Sequence, residues 1–371
     1  MIHFATEWYE AWRHFSYCQS PMGGVKIPLN VEKRLISDLE GNVQVNMNRA
    51  KLVVGSLIAE PGQSVEGHLK VGNMQDGTPF RLPIVLINGA RSGQTLYLQA
   101  ASDGDELNGI AVIHEILRQI RPNNLRGQII AVPIVNFHAF HARQAHSPVD
   151  NMKMNRCFPG RPDGTSSARI AYKLFHTVVR QADYCIDLHQ GGVHPMIDEV
   201  RVRVDAKHPQ HAACLELARI FGTGYIFDQK GPKGQLAQAA PEIGIPTIDP
   251  ELGGCHGWDA ASIAKGVQGV LNILKQYDFI DGEPKLPQRQ VIINRFVSLC
   301  SDQGGFVYYQ ADLYDQVEAY QPIAEICDVF GHLRETIRAP ESGIFWSRPV
   351  YPMVASGESV GKIGIPSGYI Q

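Results

Sequence analysis

The chain has 371 residues, 44% of them hydrophobic and 19% charged, enough to bury a large core in two or three domains of roughly 100–200 residues each. Thirty-four Lys and Arg against 37 Asp and Glu leave a formal net charge of −3, so no overall positive field gathers nucleic acid or anionic lipid. No segment approaches the ~18 continuous apolar residues of a membrane span, so neither nucleic acid nor membrane is an expected partner.

Residues 1–26 read as an N-terminal extension. The opening stretch carries Glu7, Glu10 and Arg13 among aromatics and lacks the basic start and apolar run of a signal peptide. The seven cysteines are scattered and odd in number, and none forms C-x-x-C, which fits a reducing, cytoplasmic setting better than a disulfide framework. From 27 to 80 the chain is polar and contains the turn pairs Pro61-Gly62 and Asp76-Gly77, which predict early antiparallel strands.

Beyond residue 80, short apolar runs alternate with segments of helical period. Strands are predicted at 82–88, 95–100, 128–135, 184–188, 199–204, 224–227 and 245–248. Spacings of three and four recur in Ile110, Ile113, Leu117 and Ile120, in Ile170, Leu174 and Val178, and in Ile263, Val267, Leu271 and Leu274. This pattern predicts an α/β domain over 27–280 with a mixed, mainly parallel sheet flanked by helices. Residues 281–286 read as a linker, and 287–371, rich in strands and turns, as a small all-β domain.

In an open parallel sheet, ligands bind beyond the carboxyl ends of the strands. Polar groups follow the apolar runs at four places: 101–106, Asn136, His189 and 249–251. Carboxylates converging on one edge repel unless a cation lies between them, and a divalent ion suits two carboxylates and a histidine. Asp103 and Glu106, three apart in a turn entering a helix, and His189 make a three-ligand set that leaves a position open for catalysis. The competing reading of the acids at 103–106 is a helix start stabilised by its dipole.

These segments resemble a family. Asp103-Gly-Asp-Glu-Leu-Asn-Gly109 looks like the His-Gly-Asp-Glu box of the succinylglutamate desuccinylase and aspartoacylase family, relatives of the zinc carboxypeptidases. Four more boxes follow in order: Val132-Pro-Ile-Val-Asn136, Asp150-Asn-Met-Lys-Met-Asn-Arg-Cys-Phe-Pro-Gly160, Ile186-Asp-Leu-His189 and Ile245-Pro-Thr-Ile-Asp-Pro-Glu-Leu-Gly-Gly254. The resemblance implies a zinc carboxypeptidase-like fold with Glu106 and His189 as metal ligands. It puts Asp103 where the family usually has its first histidine, and Lys153 where many relatives have aspartate or asparagine. A second anionic ligand lowers the Lewis acidity of zinc and admits manganese, cobalt or iron. His138, His141, His146, His194 and His256 are the candidates to replace the missing imidazole; Lys153 reads as solvated or as charge for an acidic substrate.

The resemblance further makes Glu251 the general base, with Asp249 its competitor, Arg143 the residue that polarises the carbonyl, and Asn155 with Arg156 the carboxylate readers. Chemically, a buried carboxylate can take a proton from attacking water and pass it to the departing nitrogen, and a guanidinium can fork onto a carboxylate. The function this implies is a metal-dependent amidohydrolase that deacylates a small carboxylate-bearing N-acyl amino acid, in a chain that could be a homo-oligomer. The alternatives are a metallocarboxypeptidase and a non-catalytic metal- or anion-binding protein.

Overall fold

A computed structural model describes residues 50–370 except Val193 and His256, so the N-terminal extension lies outside the described residues. Among these residues a twelve-stranded sheet dominates. Its centre is parallel: Arg126–Val132, Arg91–Ala100, Tyr184–Leu188 and Thr247–Glu251 lie side by side in the same direction. Glu199–Val202 then runs antiparallel to Thr247–Glu251 and parallel to Tyr225–Asp228. The N-terminal flank is the antiparallel pair Gln63–Asn73 and Pro79–Asn88, and Gly62 and Gly77 take the positive φ expected of the two turns read there.

The sheet does not stop at residue 280. Gln290–Cys300 pairs in parallel with Tyr225–Asp228, and Ser359–Ile370, Gly343–Ser347 and Gln316–Val317 follow in antiparallel order. A separate four-stranded antiparallel sheet covers the rest of this β-rich region. The mixed α/β fold with a β-rich C-terminal region is therefore the one the sequence predicted.

Period-2 alternation explains why the sheet is coated on both sides. In Arg91–Ala100, Leu96, Leu98 and Ala100 join one apolar cluster, which is covered by the helices Asn108–Gln119, His211–Phe221 and Ala260–Gln276. Tyr97 points the other way, into a cluster with Ile170 and Leu174 of the helix Ser166–Thr177. Fully burying each such Val, Leu or Ile contributes about 1.5–3 kcal/mol. Ile186, Val200, Val202 and Ile248 all lie at 0% exposure in the first cluster, so they fix which face of three neighbouring strands the intervening residues occupy. A one-residue slip would drive those intervening residues, which are mostly charged, into apolar side chains.

Candidate metal and catalytic site

The residues opposite Ile186, Val200, Val202 and Ile248 form the site. Tyr184–Leu188 and the residue after it present Asp187 and His189; Thr247–Glu251 presents Asp249 and Glu251; Glu199–Val202 and its extension present Glu199, Arg201 and Arg203. Bridge pairing sets His189 beside Glu251, while Asp249 is opposite Arg201 and Glu251 opposite Glu199. Sequence alone ended the last of these strands at 248. It continues to Glu251, and this puts Asp249 and Glu251 on one face.

Asp103 and Glu106 enter from a neighbouring strand end. The turn between them closes with Glu106 N–H donating to Asp103 O at 3.2 Å, and it lies hard against the helix Phe137–Ala142. A Cβ on Gly104 would stand 2.1 Å from the carbonyl carbon of Ala139, so glycine is required for the approach. None of these acids caps the helix: the N–H groups of Leu107 and Asn108 at its start donate to Gln190 Oε1 at 2.8 and 2.7 Å. Glu106 instead reaches His189, its Oε2 lying 2.8 Å from Nδ1 and accepting also from the Gln190 N–H at 3.2 Å.

The other imidazole nitrogen faces acids as well, with Nε2 3.2 Å from Asp187 and 3.7 Å from Asp249. Asp187 is itself steadied by the Ser102 hydroxyl at 3.1 Å. Burial opposes charging of His189, but Asp187, Asp249 and Glu106 outweigh it and hold the imidazole well above its usual range. Burial pushes the Glu106 carboxyl up to about 8, with Asp103 and Glu251 adding to the effect and His189 opposing it. Glu251 is pushed up to about 7, again first by burial and then by Asp249 and Glu199, against the pull of Arg201 and His189.

Arg201 is the residue that sequence reasoning missed. Its Nη1 lies 2.6 Å from Glu251 Oε1, and its Nε and Nη2 each lie 2.7 Å from Glu199 Oε1. Arg203 approaches Asp249 at 3.6 Å and donates to Gln235 Oε1 at 3.0 Å. The available signal was Glu199-Val-Arg201-Val-Arg203, a charged residue at every second position of a strand whose alternate residues are valine.

The residues predicted to read anions are placed less directly. Asn155 is buried, while Arg156 is exposed and donates its Nη1 to the Asn155 backbone and side-chain oxygens at 2.7 and 3.0 Å. Gly234, at φ +90°, packs against the Arg156 backbone, where a Cβ would meet the carbonyl oxygen at 2.2 Å. The turn at 231–234 therefore braces this segment. Arg143 is exposed in a left-handed conformation at the end of Phe137–Ala142, and its neighbour Gln144 accepts the Gly104 N–H at 3.1 Å. Lys153 is half-buried rather than simply solvated, and its Nζ is 2.9 Å from Asp103 Oδ2.

The substitute histidines are engaged elsewhere. His138 packs on Phe80 and Phe137 and His141 on Phe137, while His146 and His194 are exposed; His256 lies outside the described residues. Asp259 caps the last helix through the Ala261 and Ser262 N–H groups, and Trp258 beside it is 54% exposed. The six described cysteines are free, and no described helix is long and apolar enough to cross a membrane.

The donor chemistry fits a divalent cation. Six carboxylates, Asp103, Glu106, Asp187, Glu199, Asp249 and Glu251, are opposed by three cationic side chains, Lys153, Arg201 and Arg203, and by His189. Buried oxygens of Asp103 and Asp249 have no hydrogen-bond partner, and such orphans cost free energy unless a cation or water meets them. Among the described residues, His189, Asp249 and Glu251 are the group whose ligand atoms all lie within 4.8 Å of one another; the predicted set of Asp103, Glu106 and His189 does not meet that spacing.

Comparison with known proteins identifies the family. The succinylglutamate desuccinylase/aspartoacylase catalytic domain matches residues 92–277. N-alpha-acetyl-L-2,4-diaminobutyric acid deacetylase of Halomonas elongata is 28% identical over 308 residues, covering 80% of this chain and 90% of its own. The product-bound ectoine utilization protein EutE (DoeB) of Ruegeria pomeroyi is 26% identical with a TM-score of 0.74, over 87% of this chain and 98% of its own. A succinylglutamate desuccinylase of Silicibacter sp. TM1040 gives 25% identity, the same TM-score and the same coverage. With half of its length matched by that catalytic domain, the chain belongs to the succinylglutamate desuccinylase/aspartoacylase family.

Proposed function

We propose that the protein is a metal-dependent amidohydrolase that removes a small acyl group from an N-acylated amino acid. The single observation that carries this reading is Glu251, a buried carboxylate set beside His189 on one sheet face and held by the Arg201 guanidinium, with burial pushing its carboxyl up to about 7. A general acid/base works best when its pKa lies near the working pH.

Glu106 and His189, the latter through Nδ1, would hold the ion together with Asp103. Asp187 at Nε2 supports this assignment, because a carboxylate on the far nitrogen orients a ligating imidazole and raises its basicity. The alternative set is His189, Asp249 and Glu251, in which Asp249 would offer its unpartnered Oδ1 while Oδ2 faces Arg203 and Gln235, but Glu251 is already paired with Arg201. Bound there, zinc or another divalent cation supplies Lewis acidity toward the amide carbonyl.

The chain supplies the rest. Glu251 accepts the proton of the attacking water and delivers it to the departing nitrogen, and Arg201 keeps its carboxylate aimed by fixing one oxygen. Asn155 and Arg156 receive the substrate carboxylate, and Arg143 stabilises charge developing on the carbonyl oxygen. The relatives' named activities favour an N-acetyl amino acid over a peptide. The test is hydrolysis of N-acetyl-2,4-diaminobutyrate, N-acetylaspartate, N-succinylglutamate and short peptides by zinc-loaded protein. Release of free amino acid from an acyl substrate is expected. Cleavage of peptides alone would make the protein a carboxypeptidase, and no cleavage with no zinc uptake would make it a binding protein.

A further inference from the structure

The Asp103–Lys153 pair is built into the wall of the ion site. Asp103 is 4% exposed, and one of its oxygens is taken by Lys153 Nζ at 2.9 Å while the other is buried without a partner. Lys153 is held from behind: its carbonyl accepts the Arg156 N–H at 3.1 Å and the Cys157 thiol at 3.2 Å, and the following Met154 is wholly buried in the apolar cluster of that face. Its side chain is 31% exposed. Asp103 contributes to the negative potential that raises Glu106, and Lys153 is the cation set against it on that side.

From this we infer that Lys153 is a chain-borne counter-ion for the metal site, a positioning residue that takes up the charge of Asp103 and so sets how tightly a divalent cation is held. The inference rests on the metal-dependent reading above. An ammonium hydrogen-bonded to a ligand carboxylate repels an incoming divalent ion, and it withdraws electron density from the oxygen it binds. Asp103 and Lys153 together are formally neutral. A carboxylate at this position therefore adds a ligand atom without adding net charge, and each partner alone unbalances the site in the opposite sense.

The test is a thermodynamic cycle on the full chain, with zinc and manganese affinities measured by chelator competition and folding followed by circular dichroism. Lys153→Met is expected to bind zinc about tenfold more tightly or better, and Asp103→Asn about tenfold more weakly or worse. The double variant should return toward the parent affinity, and Lys153→Arg should keep it. Lys153→Gln, which retains a donor for Asp103 while removing the charge, should also tighten binding and guards against loss of fold in the methionine variant. Folded Lys153→Met and Lys153→Gln proteins with unchanged or weaker zinc binding would overturn the inference and leave the hydrolase reading standing. A parent protein that takes up no divalent ion would instead overturn the metal-dependent reading itself.

Discussion

Glu251→Gln separates the two roles that the geometry offers this residue. The side chain keeps its shape, and its amide oxygen can still accept from Arg201 Nη1, while the other guanidinium nitrogens stay with Glu199 at 2.7 Å. The fold should persist, with a stability loss of about 1.5–3 kcal/mol for the weakened charge-assisted hydrogen bond. A glutamine cannot accept the proton of the attacking water. Loss of a general base lowers turnover by about 10²–10⁴-fold, which is about 3–5 kcal/mol of barrier at 1.36 kcal/mol per factor of ten. The assay is release of the free amino acid from an N-acetyl substrate at saturating concentration, alongside bound zinc per chain. The expected result is retained zinc with turnover reduced by at least about a hundredfold. Unchanged turnover would refute Glu251 as the base, and simultaneous loss of zinc would make it a ligand in the His189, Asp249 and Glu251 set.

Three further outcomes follow from the same geometry. Arg201→Met removes the cation that opposes the upward shift of Glu251. The acid limb of the pH–rate profile should move up by about one unit, with a stability loss of about 3–5 kcal/mol from two stranded carboxylates; an unmoved limb would dissociate Arg201 from the base. In the metal-free protein, Glu106 and Glu251 have folded-state pKa values of about 8 and about 7, above the unfolded value of 4.5, and His189 is raised as well. Folded chains therefore retain protons that unfolded chains release, and stability falls as pH rises from about 4.5 through about 8. Zinc binds the deprotonated groups, so its effect on Tm should grow between pH 5.5 and pH 8 (about these values), and a gain that shrinks over that range would contradict the ligand assignment. Gly104→Ala sets a methyl against the Ala139–Phe140 backbone; thermal unfolding should show a loss of about 2 kcal/mol or more together with weakened zinc uptake, because the Asp103–Glu106 turn can no longer seat.

Much of the candidate site was legible in the sequence because its polar residues follow apolar runs. Leu98-Gln-Ala100 precedes Asp103, Ile186-Asp-Leu188 precedes His189, and Ile245-Pro-Thr-Ile248 precedes Glu251, so a parallel sheet had to bring them to neighbouring strand ends. The five ordered boxes added the family, which the catalytic-domain match over residues 92–277 bears out. What the local pattern at 103–106 could not show is Gln190, which comes from 83 residues away to take the N–H groups at the start of that helix.

The amino-acid order by itself determined the period-2 and helical patterns, hence the two-faced sheet and the segments that carry chemistry. Those follow from burying apolar side chains, a cost and gain set residue by residue. Which charges face one another was decided only in three dimensions, by the register of strands distant in sequence. The extension of the strand to Glu251 set Asp249 and Glu251 on one face, the antiparallel neighbour brought Arg201 to Glu251, and the loop at 153 brought Lys153 to Asp103. Coulomb interactions depend on separation through space and on burial, and a linear pattern specifies neither.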